Sequence, residues 1–494
     1  MRRARDTRGR GRYSLFTGDV GVALFLADCL DERVVYPVLD ARLDSAPVAR
    51  PSEALVAELA EFIAIPSVSA DAAHAADIDT AATWIAARIR EGGGTAELVP
   101  WGARPLVIGE IPASTSPDSA QTILTYAHFD VQPPDPLELW ESPPFELTRR
   151  DGKLYARGVA DDKGNMFALV EAARQLADEG ALPVNVRFAF DGEEEIGGSS
   201  IVDWVDQDER PAAVALILDG AMVRRGQPGF TVGVRGMVYL HLRVRTGRTD
   251  MHSGMFGAAA LNATHALMTA LASVLPDADG RLPDELRVGA IPPTAEELEA
   301  WAQLPSGHEQ LGLQGAAEIA PGAAGEFYLR TFADTSLDVN GIASGSPDLV
   351  KTVLPVEARA NVSMRLAPGQ DPETVRAAFE RRVRDALPAG AELEITLKNS
   401  GRPALTPTGS EAIRLASDAF EHVVGARPFL LRSGGTLPIY ASLVARGLPT
   451  VATGFGIESE CNVHAPNENV PEDALDVGVA TMREVFTRLG ELGD

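Results

Sequence analysis

Residues 122–131 read TILTYAHFDV, and prolines break the chain directly afterwards in QPPDP, 132–136. An apolar run rich in β-branched and aromatic residues predicts a strand. It ends on His128 and Asp130, which two-residue spacing turns to the same side. There the carboxylate can touch a ring nitrogen or sit just behind it, as groups supporting a metal-bound imidazole do. A hydrogen-bonded polar strand end is the other reading.

Outward from this run, strand-like and helix-like patterns alternate. Upstream, SEALVAELAEFIAI has apolar spacings of three and four and stops at Pro66, and DIDTAATWIAARIREGG ends on glycines. Downstream come the helix KGNMFALVEAARQLADEG, the strand VNVRFAF, the segment IVDWVDQ and the strand AVALILDG. Strand, helix, strand, helix predicts an α/β sheet with parallel connections. Near Gly229 the character changes: FTVGVRGMVYLHLRVRTG alternates like an antiparallel meander. The helix ALNATHALMTALASVL and the strands ARANVSMRLAP and AELEITLK follow, with the helix DPETVRAAFERRVRDAL between the two strands. After about residue 400 the α/β pattern resumes. The expectation is a split catalytic α/β domain, 49–231 and 401–494, interrupted by an α+β insert, 232–400. Residues 1–48 read as an N-terminal extension of unassigned role.

A chain of 494 residues requires more than one core. Its 44 basic and 70 acidic residues leave a net charge of −26, which argues against nucleic acid or an anionic membrane as partner. The same balance is compatible with collecting cations. Two cysteines, Cys29 and Cys461, cannot build a disulfide framework and fit a reducing cytoplasm. No run is long enough to span a bilayer. The basic N-terminus loosely imitates a signal peptide, but acids interrupt its apolar run and no clean cleavage site follows.

Three further acidic clusters follow strand-like runs or lie in loops. ARGVADDKGN carries Asp161 and Asp162, where acids also suit a helix N-terminus. DGEEEIGG packs four acids into five residues immediately after a strand. In LILDG, Asp219 closes a nearly all-apolar strand, where a lone carboxylate is costly without a partner or a metal. Finally NVHAPNENV places His464 in a loop. Open α/β sheets gather their ligands at the carboxyl ends of strands. Two histidines and three carboxylates, one of them shared, suit a pair of zinc-like ions better than calcium or magnesium.

Together, AHFDVQPP, ARGVADDKG, DGEEEIGG, LILDG and NVHAPNE resemble the M20 di-metal hydrolases, especially their carnosinase-like dipeptidase branch. DMHSGMFG, TSLDVNGI, KTVLPVEARANVSMRLAP and SGGTLP lie in the same order. Residues 10–40 separately resemble the C-terminal end of lanthionine synthetase C-like proteins. The M20 resemblance implies a split catalytic domain of the zinc aminopeptidase, phosphorylase/hydrolase-like type, with an inserted dimerisation or lid domain. It implies two divalent ions per chain, Zn2+ first and Mn2+ or Co2+ as alternatives. His128 and Asp219 would hold one, Glu195 and His464 the other, and Asp161 would bridge them.

By the same resemblance Asp130 orients His128, and Glu194 is the general base that takes a proton from water and passes it to the leaving amine. His252 would reach the active site of a partner subunit and steady the oxyanion. Arg365 is the candidate for gripping a substrate carboxylate, with Gly434, Gly435 and Thr436 offering further donors. The acidic motif departs from the family pattern, and Thr436 stands where the dipeptidase branch commonly has serine. Both departures touch the substrate side. The expected activity is hydrolysis of an amide bond near a free carboxylate by a cytoplasmic homodimer. An N-acyl-amino-acid deacylase on the same fold is the alternative, and a non-catalytic binding protein a more distant one.

Overall fold

The computed structural model describes residues 52–493. The extension 1–48, with its lanthionine-synthetase resemblance, lies outside the described residues. Strand Thr122–His128 runs through the interior of a nine-stranded sheet. It pairs in parallel with Asn185–Asp191 on one side and Val214–Ile217 on the other. The register sets His128 opposite Asp191 and Tyr126 opposite Ile217, so the three strands end at nearly the same level. Parallel strands need long crossovers. Helix Lys163–Asp178 provides one, between the strands ending at His128 and Asp191.

Both faces of this sheet are covered, which explains why its strands read as apolar runs. Helices Glu53–Ile63, Ala75–Glu91, Lys163–Asp178, Glu411–Val424 and Ala474–Leu489 contribute to one core with Ile123, Phe188 and Phe190. Helices Ser200–Gln207 and Pro438–Ala445 cover Leu124, Tyr126 and Ala189 on the opposite face. Full burial of a phenylalanine contributes about 1.5–3 kcal/mol, and Phe188 and Phe190 are both 0% exposed. The strand ends are therefore held by a stiff platform.

The second sheet has four antiparallel strands, in the order Ser336–Ala343, Glu357–Leu366, Gly236–Arg245, Glu392–Gly401. Helices Ala263–Ala272 and Pro372–Ala386 pack on the face carrying Val238, Leu240, Leu242 and Val244. The opposite face is only partly covered, hence the strict alternation along Gly236–Arg245.

The alternating run 230–247 is not one meander. It splits at Arg235 into strand Gly229–Val234, paired in parallel with Phe429–Ser433 in the large sheet, and strand Gly236–Arg245 of the small one. The alternation of residue types runs unbroken through both strands and carries no information about which partner each takes, although only Gly236–Arg245 alternates in burial. Returning from the small sheet, the chain passes beside this crossover. A Cβ on Gly236 would stand 2.6 Å from the Gly401 carbonyl oxygen. Among the described residues no helix is long and apolar enough to cross a membrane.

Candidate active site

The level strand ends bring the widely spaced clusters together. His128 is the last residue of its strand and fully buried. Its Nδ1 lies 3.1 Å from the Asp130 carbonyl oxygen and 3.5 Å from Asp130 Oδ1. A proton on Nδ1 donated there turns the Nε2 lone pair toward the cleft. Nε2 stands 2.9 Å from Asp161 Oδ1 and 3.8 Å from Asp219 Oδ1. The other oxygen of Asp161 is 2.9 Å from His464 Nε2, which is also 3.1 Å from Glu195 Oε2. Asp161 thus stands between the two imidazoles, one carboxylate oxygen toward each.

The donor chemistry and spacing fit metal binding. Two ligands of one tetrahedral ion with bonds of about 2.0–2.1 Å stand roughly 3.3 Å apart, and the separations here bracket that value. Atoms of His128, Asp161 and Glu195 all fall within 4.8 Å of one another. All five residues expected to be ligands are therefore present in one place. Burial alone would pull His128 down, but hydrogen bonds to Asp130 and Asp161 and the nearby acidic charge hold it well above its ordinary value. Hydrogen bonds to Asp161 and Glu195 raise His464 to about 10. Burial opposes ionisation of Asp161, yet its two imidazole partners hold it well below the usual carboxylate range. Burial pushes Asp219 up to about 6.

The three consecutive glutamates point three ways. Glu193 is buried and turned into the protein: Oε2 accepts from the N–H groups of Ala103 and Arg104 at 2.9 and 3.3 Å, and Oε1 from Ser200 N at 3.2 Å. Glu194 and Glu195 open a 3-10 turn, Glu194–Ile196, whose first two N–H groups donate to the Asp130 carboxylate at 3.2 and 3.1 Å. Asp130 therefore braces both His128 and the acidic turn. Burial raises Glu194 to about 8, against the opposing positive charge of His128.

Several supporting roles are not legible in the sequence. Asp162 Oδ2 accepts from His128 N at 3.2 Å, and Gln132 Nε2 donates to Glu195 Oε2 at 2.8 Å. Glu468 is fully buried and accepts four hydrogen bonds: Arg157 Nη1 at 2.6 Å, Gly158 N at 3.0 Å, Ala160 N at 2.8 Å and Asp161 N at 3.0 Å. It fixes the loop that presents Asp161. Nothing local in NVHAPNENV distinguishes such a glutamate from a solvated one. In the same loop, Asn462, His464 and Asn467 have φ of 51°, 61° and 60°, left-handed values that asparagine and histidine tolerate better than most residues.

Beside these residues lies a cleft of about 1130 Å³ whose wall includes Asp161, Asp219, Gly434, Leu313, Tyr328 and Phe332. The wall segment 303–332 was not read from sequence. The signal nearest to it was TAEE at 294–297, which forms a capping box on helix Ala295–Trp301. Arg365 and Thr436 meet, with Nη1 donating to Oγ1 at 2.8 Å, and Gly435 N donates to Ser433 Oγ at 3.0 Å. His252 stands apart from the cleft wall, exposed, its Nδ1 accepting from Gly254 N at 3.0 Å.

A doubly covered α/β sheet, with imidazoles and carboxylates at the carboxyl ends of its strands and an antiparallel insert, is the architecture of a metal-dependent hydrolase. Residues 124–488 match the model of Peptidase family M20/M25/M40, and the chain belongs to that family. It is 27% identical over 451 residues to a cysteinylglycine-S-conjugate dipeptidase of Corynebacterium striatum, covering 88% of this chain and 95% of the relative. To the human Beta-Ala-His dipeptidase it is 27% identical over 402 residues, 78% of each chain. Among solved structures it is similar to an M20 family metallo-carboxypeptidase of Sulfolobus solfataricus, with a TM-score of 0.73, 27% identity, and coverage of 90% of this chain and 100% of that one.

Proposed function

We propose that this M20 metallopeptidase hydrolyses the amide bond of dipeptides or short peptides with a free carboxylate. The observation that carries the reading is the convergence of His128, Asp161, Glu195, Asp219 and His464 beside Glu194, a half-buried carboxylate raised to about 8. Two divalent ions fit this donor set, Zn2+ best on ligand chemistry: His128 and Asp219 would hold one, Glu195 and His464 the other, and Asp161 would be shared between them. When bound, such a pair polarises the scissile carbonyl and lowers the pKa of water.

The chain's own residues then do the following. Asp130 keeps the proton of His128 on Nδ1, so that Nε2 stays a ligand. Glu194 accepts a proton from the attacking water at its carboxylate and delivers it to the leaving nitrogen, a shuttle that suits a raised pKa. Arg365, supported by Thr436, holds the substrate carboxylate, and the turn at Gly434 and Gly435 shapes the wall of the cleft.

The lid and dimerisation role belongs to 232–400, and the catalytic role to 49–231 with 401–494. Around His252, Met255, Phe256, Leu349 and Val350 are 75%, 43%, 55% and 103% exposed. An apolar patch of this kind supports a homodimer in which His252 serves the partner's site. The low cysteine content fits a cytoplasmic setting.

The decisive experiment measures metal content after gentle purification, then turnover of a panel of dipeptides and N-acyl amino acids by wild type and Glu194→Gln. Two metals per chain in both proteins, with turnover about 10²- to 10⁴-fold lower in the variant, is the expected result. Preference for N-acyl amino acids would move the reading to a deacylase. Metal-free, inactive protein that zinc and manganese fail to activate would overturn it.

A further inference from the structure

Arg235 is the single residue between strand Gly229–Val234 of the large sheet and strand Gly236–Arg245 of the small one. It is 8% exposed, yet among the described residues no carboxylate oxygen lies within 4.0 Å of its guanidinium. Its acceptors are neutral: Nε donates to the Gly434 carbonyl at 3.0 Å, and Nη1 to the Asp334 carbonyl at 3.4 Å and Ser336 Oγ at 3.3 Å. The Asp334 carboxylate is taken by Arg281 at 2.8 Å and Arg287 at 2.9 Å. Asp338, the other acid whose charge reaches Arg235, is exposed on strand Ser336–Ala343.

Arg365 is in the same state. It is the register partner of Met237 and Ser336, it donates to the Thr436 hydroxyl, and it too has no carboxylate within 4.0 Å among the described residues. Burial, and then the charge of Arg365, pull the Arg235 guanidinium down to about 10. Two neighbouring cations, one of them buried, with only neutral acceptors lack a counter-ion.

Their position relates these two cations to the cleft. The Arg235 N–H donates to the carbonyls of Ser433 at 3.2 Å and Gly435 at 3.1 Å, so Arg235 holds three successive carbonyls of the turn 433–435. Gly434 of this turn lines the cleft that contains Asp161 and Asp219.

We propose that Arg235 is the second guanidinium of a substrate-carboxylate site shared with Arg365 and Thr436, and that it makes the enzyme select free acids over their C-terminal amides. The proposal rests on the reading of the chain as an amide hydrolase with carboxylate-bearing substrates. A carboxylate entering beside the turn supplies the missing negative charge, and a carboxamide does not.

The test compares the metal-loaded full-length wild type with Arg235→Met and Arg235→Lys, using the dipeptide that wild type cleaves best and its C-terminal amide. Wild type should favour the acid. In Arg235→Met the acid-to-amide ratio of kcat/KM should fall about 10- to 100-fold, chiefly through the KM of the acid. Arg235→Lys should recover part of it, and alone carries the test if the methionine variant fails to fold. A merely structural arginine would lower both substrates together, so an unchanged ratio overturns the proposal.

Calorimetric binding of a pseudo-dipeptide with CH2–NH replacing the peptide bond, as acid and as amide, needs no turnover. A wild-type preference for the acid that Arg235→Met erases supports the site even if no peptide is cleaved, in which case only the hydrolytic reading falls. Equal binding of acid and amide by wild type overturns it.

Discussion

Replacing Glu468 by glutamine tests how the Asp161 loop is held. The carboxylate is fully buried and each of its oxygens accepts two N–H groups: Arg157 and Gly158 on Oε2, Ala160 and Asp161 on Oε1. A glutamine offers one carbonyl oxygen and one NH2, so either way round two donors meet another donor. Each orphaned buried donor costs about 1–3 kcal/mol, and removing one partner of a buried ion pair costs about 3–5 kcal/mol. These terms overlap, and the expected destabilisation is about 3–5 kcal/mol, a fall in Tm of roughly 3–5 °C for a unit of this size.

Because the same carboxylate positions Asp161, metal affinity should fall about 10- to 100-fold. The matched control is Glu460→Gln. Glu460 pairs with Lys153 at 2.7 Å but is 49% exposed, and its loss should cost under about 1 kcal/mol. Thermal unfolding of the metal-free proteins and zinc titration against a competing chelator measure both quantities. If Glu468→Gln melts and binds metal like Glu460→Gln, the buried carboxylate does not anchor the loop and the reasoning fails.

Loading the metal-free protein at pH 7 should release at least two protons per chain, because His128 and His464 are held protonated and must lose their protons to hold a metal, and Glu194, raised to about 8, gives up part of its own beside the cations. Apparent affinity should then rise with pH, and calorimetry in buffers of different ionisation enthalpy counts the protons. In the metal-free chain His464 stabilises the fold fully below its unfolded value of about 6.5. That contribution fades as pH rises toward about 10, so metal-free protein should lose stability over this window while loaded protein does not. Gly198→Ala should shift the acidic turn, since a Cβ there would clash with Glu193 Cγ; a clear loss of Tm and of metal affinity is expected, and unchanged values would refute the anchoring of the turn through the hydrogen bonds of Glu193 to Ala103, Arg104 and Ser200. Mixing Glu194→Gln with His252→Ala, each nearly inactive alone, should restore up to about a quarter of wild-type activity if His252 acts across a two-fold dimer; no recovery after subunit exchange would place His252 outside the partner's site.

Much of this protein was legible before folding because its chemistry is written next to strong local signals. TILTYAHFDV, VNVRFAFDG and AVALILDG are apolar runs that end in polar residues, and a strand buried on both faces must end where its carboxylates begin. The tertiary structure decided what local pattern leaves degenerate. Three adjacent glutamates are identical in sequence, and only their surroundings make Glu193 a buried structural anchor, Glu194 a half-buried carboxylate raised to about 8 and Glu195 a neighbour of His464. Likewise the alternation of residue types runs unbroken through Arg235, and only long-range pairing divides it. Glu468 and Arg157 lie 311 residues apart, and the cleft wall at 303–332 comes from a segment with no ligand motif. Periodicity reports which side of a strand is buried. Which distant segment supplies the partner is fixed by packing, where the chain must find an acceptor or a counter-charge for every polar group it buries.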